Sequence, residues 1–177
     1  MARSIEGLLA RIRHPILKRM IAHWDGKCGG RDWPLRSDLD PLEFWFAVGY
    51  VSLIDVRPAT TPPTTPMETS GTAQGTPQGT PPGGRRYFFR LDGTRQVELF
   101  GVDFTGKYLD ERADAEGRQV AELSFGAVVD EGKPQYHVRQ VEFNERPIQY
   151  EIVILPLSRT GERVDMLMTV VTPEAGR

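Results

Sequence analysis

Three histidines, His14, His23 and His137, and one cysteine, Cys28, are the side chains best suited to metal binding, proton transfer or nucleophilic attack. Their spacing supports little of that chemistry. A structural zinc site takes four ligands in a tetrahedron, and His23 with Cys28 supplies two without a second pair, so no metal site is assigned. A catalytic nucleophile needs a base and a group that orients the base. None of the three histidines has a local Ser, Cys or carboxylate at a spacing that marks such a set. The phosphate-cradling patterns GxxxxGK[ST] and GxGxxG are absent from the sequence. The chain therefore reads as a protein that binds rather than one that catalyses, and no catalytic residue is assigned.

Composition bounds the partners. Among 177 residues there are 22 basic and 24 acidic ones, a net charge of −2, which argues against nucleic acid, because a nucleic-acid surface needs a concentrated basic face. With one cysteine no intramolecular disulfide forms, which suits a reducing compartment; a cytoplasmic location is expected. No apolar run approaches the roughly 18 residues of a membrane span, and the N-terminus lacks the apolar core and cleavage site of a secretory signal.

The elements that would position any site follow from periodicity. Ile5, Leu8, Leu9, Ile12, Ile16, Met20 and Trp24 recur every three or four residues, the spacing of one helix face. Pro15 divides this segment into a kinked helix or two helices, with Pro15 in the first turn of the second; Gly26, Gly29 and Gly30 end it. Such a stripe either docks on its own domain or dimerises, with Ile12, Ile16, Met20 and Trp24 as the dimer or partner residues; adsorption to a membrane surface is disfavoured. Asp40, Pro41 and Glu43 carry an N-terminal helix signature and predict a short helix from Pro41 to about Ala47. Tyr50–Val56 reads as a strand.

Residues 58–84 are built from Thr, Pro and Gly, with Glu68 the only charge and glycines at 71, 75, 79 and 83. This composition cannot bury enough apolar surface to offset ordering entropy, so it is read as a mobile loop between two strands. The PxxP from Pro63 to Pro66 lacks flanking basic residues, which disfavours it as a docking motif.

The stretch Tyr87–Glu111 is the most informative. Tyr87, Phe89 and Leu91 alternate with Arg86, Phe88 and Arg90 as in a half-buried strand. Thr94 caps a short helix bearing Val97 and Phe100, Gly101 ends it, Asp103–Gly106 turns, and Tyr108-Leu109 starts another helical piece. A longer helix over 114–131 places Val120, Leu123, Ser124, Ala127 and Val128 on one face and stops at Gly132 and Pro134. Three strands follow. Gln135–Phe143 has Tyr136 and Val138 on one side and Val141 and Phe143 on the other, which hints at a twist or bulge. Ile148–Ile154 and Val164–Val170 alternate more regularly and flank a hairpin loop at Ser158–Glu162. Two strands, a helical block and three antiparallel strands indicate an α+β domain with helices on one face of the sheet. The organisation expected is a helical extension at 1–30 and a domain at 31–177 interrupted by the 58–84 loop.

In this order, Trp24, GGRDWPLRSDLDP, VSLIDV, YFFRLDGT, ELFGVDFTGKYLDE, VVDEGKP and LPLSRTGERVDMLM resemble the stand-alone bacterial PAS proteins, a divergent branch of the PAS superfamily. The pieces span most of the chain outside residues 1–15 and the Thr/Pro loop; that long insertion and the aromatic FWFAVGY depart from the family pattern. The resemblance implies a five-stranded antiparallel sheet with helices over one face and a sensory or signalling role. A flavin photosensor of this superfamily needs its cysteine on the helices over the sheet, and Cys28 precedes the first strand. Haem relatives use a histidine on the long helix, and 114–131 has none. Flavin and haem are thus disfavoured and no cofactor is expected. A small organic ligand remains open, in a pocket between helix 114–131 and the sheet lined by Tyr108, Ser124, Phe125, Ala127, Tyr150 and Met168; the alternative is that these side chains simply fill the core. With no output domain expected in cis, the protein should act by associating, as a homodimer or with a signalling partner, or as a ligand sensor that modulates that association.

Overall fold

The computed structural model describes residues 5–59, 84–143 and 146–174. Apart from Pro58, Ala59 and Gly84, the Thr/Pro/Gly segment lies outside them, and so does its PxxP. Five strands form one antiparallel sheet: β1 (Val51–Pro58), β2 (Arg85–Leu91), β3 (Gln135–Phe143), β4 (Arg146–Leu157) and β5 (Met166–Pro173), in the spatial order β2-β1-β5-β4-β3. Strands β3, β4 and β5 follow one another as a meander, and β1 then pairs with β5. This is the α+β architecture with a five-stranded antiparallel sheet that the strand count anticipates.

Helices cover both faces of the sheet. On one face lie α3 (Thr94–Phe100), a 3-10 turn at Leu109–Glu111 and α4 (Ala115–Glu131), packed in a cluster with Ile54, Ile152, Ile154, Leu167 and Val171. On the other lie α1 (Glu6–Arg11) and α2 (Pro15–Lys27), clustered with Val153, Leu155, Leu157, Met166, Met168 and Val170. Pro15 stands at the first helical position, where its missing N–H costs nothing. His14 caps α2 with Nδ1 accepting from Ile16 N at 3.2 Å.

The amphipathic stripe therefore docks on its own chain. Met20 and Trp24 are fully buried and Ile12 is 2% exposed, while Ile16 is half-buried. Trp24 Nε1 donates to Pro156 O of β4 at 3.0 Å. Side chains spent on this core are not available as a dimer seam, which corrects that assignment for Ile12, Met20 and Trp24. Helix α2 is correspondingly no appendage, since it shares one apolar cluster with β4 and β5.

Three further expectations change. Residues 41–44 form a turn, with Asp40 Oδ1 accepting from Leu42 N at 2.9 Å, and a 3-10 helix then runs from Trp45 to Tyr50 in place of an α-helix over 41–47. The β3–β4 register is unbroken from Gln135↔Ile154 to Phe143↔Arg146, and the irregularity lies instead between Leu53 and Ile54 of β1 opposite β2. Helix α4 buries Ala121, Ser124, Phe125 and Val128, leaving Leu123 63% exposed and Val120 40%. Both stripes of α4 are apolar enough to face inward, and the bulk of Phe125 decides between them.

Candidate functional site

Between α3, α4 and the sheet lies a cavity of about 840 Å³, within the size range of small-molecule sites. Phe125 and Ala121 line it from α4, Tyr150 and Ile152 from β4, Thr169 and Val171 from β5, and Phe89 from β2. Phe100 and Phe104 border it from α3 and the following turn. The rings pack on one another in pairs: Phe100 meets Tyr150 edge-on at 5.1 Å and 81°, and Phe89 meets Phe104 at 5.5 Å.

Local sequence holds this wall in place. Gly106, at φ 79°, turns the chain so that its N–H donates to Phe89 O at 2.8 Å, while Phe89 N donates to Lys107 O at 2.9 Å. Asp103 Oδ1 accepts from Thr105 N at 2.8 Å, which holds its carboxyl below the usual range. Asp92 Oδ2 accepts from Phe104 N at 3.2 Å and its Oδ1 from the Ser52 hydroxyl at 2.5 Å. Burial raises the Asp92 carboxyl above its ordinary value despite those donors. The Asp103–Gly106 turn is thus structural.

The polar lining is segregated. Near the start of α4, Asp114 caps the helix by accepting from Gly117 N at 3.0 Å and pairs with Arg112 at 3.2 Å. Glu111 accepts from Tyr108 N at 2.8 Å, and Lys107 Nζ donates to Asp103 O at 2.9 Å. Further along the cavity, Arg139 of β3 donates to Ser124 Oγ at 2.5 Å, and that hydroxyl in turn donates to Val120 O at 2.8 Å. Thr169, 3% exposed, turns the same way as Leu167 and Val171 on β5.

Of the six residues expected at a pocket, the structure brings Phe125 and Tyr150 to the cavity. Ser124 stands behind the wall as the partner of Arg139. Ala127 is half-buried and is not among the lining residues. Met168 is buried on the opposite face with α2, because its neighbours Leu167 and Thr169 take the cavity side. Tyr108 lies outside, its ring against Phe88 at 5.1 Å and beneath Arg86 at 3.7 Å, its hydroxyl accepting from Arg57 at 3.0 Å. There it joins a cluster in which Arg57, Arg90 and Arg159 surround Asp55, itself 3% exposed. Phe89, Phe100, Phe104, Thr169 and Arg139 were not among the expected pocket residues. The register signal for Arg139 was present, since it stands opposite Tyr150 in the β3–β4 hairpin.

Cys28 is buried beneath α2 on the face away from the cavity. Among the described residues no cluster of metal-ligating side chains occurs, and no helix is long and apolar enough to cross a membrane. The histidines stand apart. Burial lowers the basicity of all three, with Glu151 opposing at His14 and Glu43 at His23, while Arg139 adds to the effect at His137.

No family model matches the chain, and no curated protein sequence does. Among solved structures the chain is similar to the PAS domain of BvgS from Bordetella pertussis, at 17% identity and TM-score 0.44, over 78% of this chain and 90% of that one. It is also similar to a fungal LOV domain photoreceptor, at 10% identity and TM-score 0.38, over 78% of this chain and 94% of that one.

Proposed function

We propose that this chain is a sensory module of the PAS type that binds a small organic molecule between α4 and the sheet and reports it through association with another protein. The observation that carries the reading is the cavity of about 840 Å³ with its aromatic lining. Small-molecule sites are concave and mostly apolar with a few polar groups, and a space of this size lined by Phe89, Phe100, Phe104, Phe125 and Tyr150 suits an occupant.

A thermal-shift panel of metabolites on the full chain, with native mass spectrometry of freshly purified protein, tests this. A ligand held at about 100 times its dissociation constant adds roughly 2.7 kcal/mol of stability, and Ala121→Trp, which fills the space, should abolish the shift. Protein at apo mass with no shift across the panel would overturn the reading.

Association without a ligand is a second reading, favoured by one observation. Leu42, Trp45 and Val48 are 80%, 73% and 43% exposed beside one another in sequence. The surface for association would then be this aromatic segment rather than the docked helices. Sedimentation equilibrium of the full chain against Trp45→Ser checks it; an unchanged mass in both would exclude that segment as the contact.

A further inference from the structure

The cavity's polar groups differ in one respect that bears on what it holds. Its carboxylates are largely engaged: Asp92 by Ser52 and Phe104 N, Glu111 by Tyr108 N, and Asp114 by Arg112 and Gly117 N. Glu116, on the first turn of α4, is exposed. It lies eight residues before Ser124, about 12 Å along the helix at 1.5 Å per residue. At the Ser124 end stands Arg139, a half-buried guanidinium whose hydrogen bond goes to a neutral hydroxyl and which pairs with no carboxylate among the described residues. A cation withdrawn from water without a counter-charge is costly. Tyr150 stands directly opposite Arg139 in the β3–β4 register, and both line the cavity. At this end of the cavity Arg139 thus faces a space bordered by the rings of Phe100, Phe125 and Tyr150.

Building on the ligand-binding reading above, we propose that the cavity takes an aromatic monocarboxylate, its carboxylate on Arg139 and its ring among Phe100, Phe125 and Tyr150. A guanidinium presents parallel N–H groups that match a planar carboxylate, and Phe and Tyr rings favour edge and offset contacts with another ring. A phosphate ester suits the site less well, because a single guanidinium leaves most of its oxygens without donors. Of the other cations in the lining, Arg112 pairs with Asp114, and Lys107, exposed at the cavity margin, donates to the Asp103 carbonyl and is the less engaged competitor.

The test titrates the full chain calorimetrically with benzoate, phenylacetate and indole-3-acetate, each beside its primary amide. At least one acid should bind tenfold or more tightly than its amide. Arg139→Gln should weaken that acid by the same factor and leave the amide unchanged, Arg139→Lys should fall between, and Lys107→Gln should change neither. The melting temperature of each variant shows that it is folded, and Arg139→Lys keeps the test alive if Arg139→Gln does not fold. Equal affinity for acid and amide, a preference that survives at Arg139→Gln, or one lost at Lys107→Gln overturns the charge assignment while leaving the cavity reading intact. Binding of none of the six compounds overturns the proposal, and the metabolite panel then decides whether the cavity reading falls with it.

Discussion

Glu151 is fully buried in β4, and its Oε2 accepts from Arg13 N at 3.1 Å, His14 N at 3.2 Å and the Tyr136 hydroxyl at 2.8 Å. One carboxylate thus joins the break between α1 and α2 to the sheet beneath it. Hydrogen bonds to a charged group contribute about 1.5–3 kcal/mol each, and orphaned buried donors add their own cost. Glu151→Ala is expected to lower unfolding free energy by about 3 kcal/mol or more, read from urea midpoints, and Glu151→Gln, which keeps an acceptor, by less. A loss under 1 kcal/mol in the alanine variant would mean that the carboxylate does not hold this junction. Tyr136 adds a pH signature. Burial first, and then its bond to Glu151, push its phenol up to about 12, above the value near 10 of an unfolded tyrosine. The neutral phenol is therefore favoured by folding, so its stabilisation is complete below about pH 10 and is lost as pH rises towards 12. In Tyr136→Phe that loss is absent. The stability gap between wild type and variant should narrow over this window, and a constant gap would count against the assignment.

At the scale of elements, Gly93 shows how closely α3 is set against the sheet. Its φ of −68° is open to any residue, but a Cβ there would stand 2.4 Å from Gly49 O and 2.8 Å from Val51 O. Gly93→Ala is expected to cost about 2–4 kcal/mol through backbone displacement. Gly126→Ala on α4 meets only the Tyr87 hydroxyl at 3.6 Å and should gain about 0.5–1 kcal/mol of helix propensity. Opposite signs in one thermal-melt series would confirm both placements. Boundaries of this kind were legible in the sequence: Pro15, Gly101 and Gly132 sit where their backbone chemistry puts them. Facing was harder to read. Strand β5 is buried from Met166 through Thr172, and a strand covered on both sides loses the alternation that tells one face from the other. Pattern alone therefore assigns Met168 to the pocket, while its neighbour Thr169 holds that position. On α4 two apolar stripes competed, and Val120 with Leu123 drew the helix face round by one residue. Phe125 and Tyr150 were recoverable because bulk and hairpin alternation point the same way.

For the whole molecule, covering both sheet faces makes the N-terminal helices part of the fold. Trp24→Ala removes a fully buried indole together with its bond to Pro156 O, and a loss of about 3–5 kcal/mol is expected by denaturant titration. Deleting residues 1–28 would bare Leu155, Leu157, Met166 and Met168, an apolar face of the sort that drives aggregation. Light scattering should therefore show a loss of solubility rather than a clean change of oligomeric state. A well-behaved truncated domain would contradict this account. The sequence could not decide the matter, because a helix stripe that docks in cis and one that docks in trans have the same spacing.

Where β1 and the edge strand β2 meet the long Thr/Pro/Gly connection, Ala59 N donates to Gly84 O at 2.7 Å and extends the β1–β2 pairing one step beyond Pro58↔Arg85. That bond seals the hairpin before the connection begins. Closure entropy grows only logarithmically with the length it closes. The strands are thus in register whatever the intervening chain contains, and this tip is a grafting point: a fluorescent reporter spliced between Ala59 and Gly84 would hang from the sheet edge without entering either core.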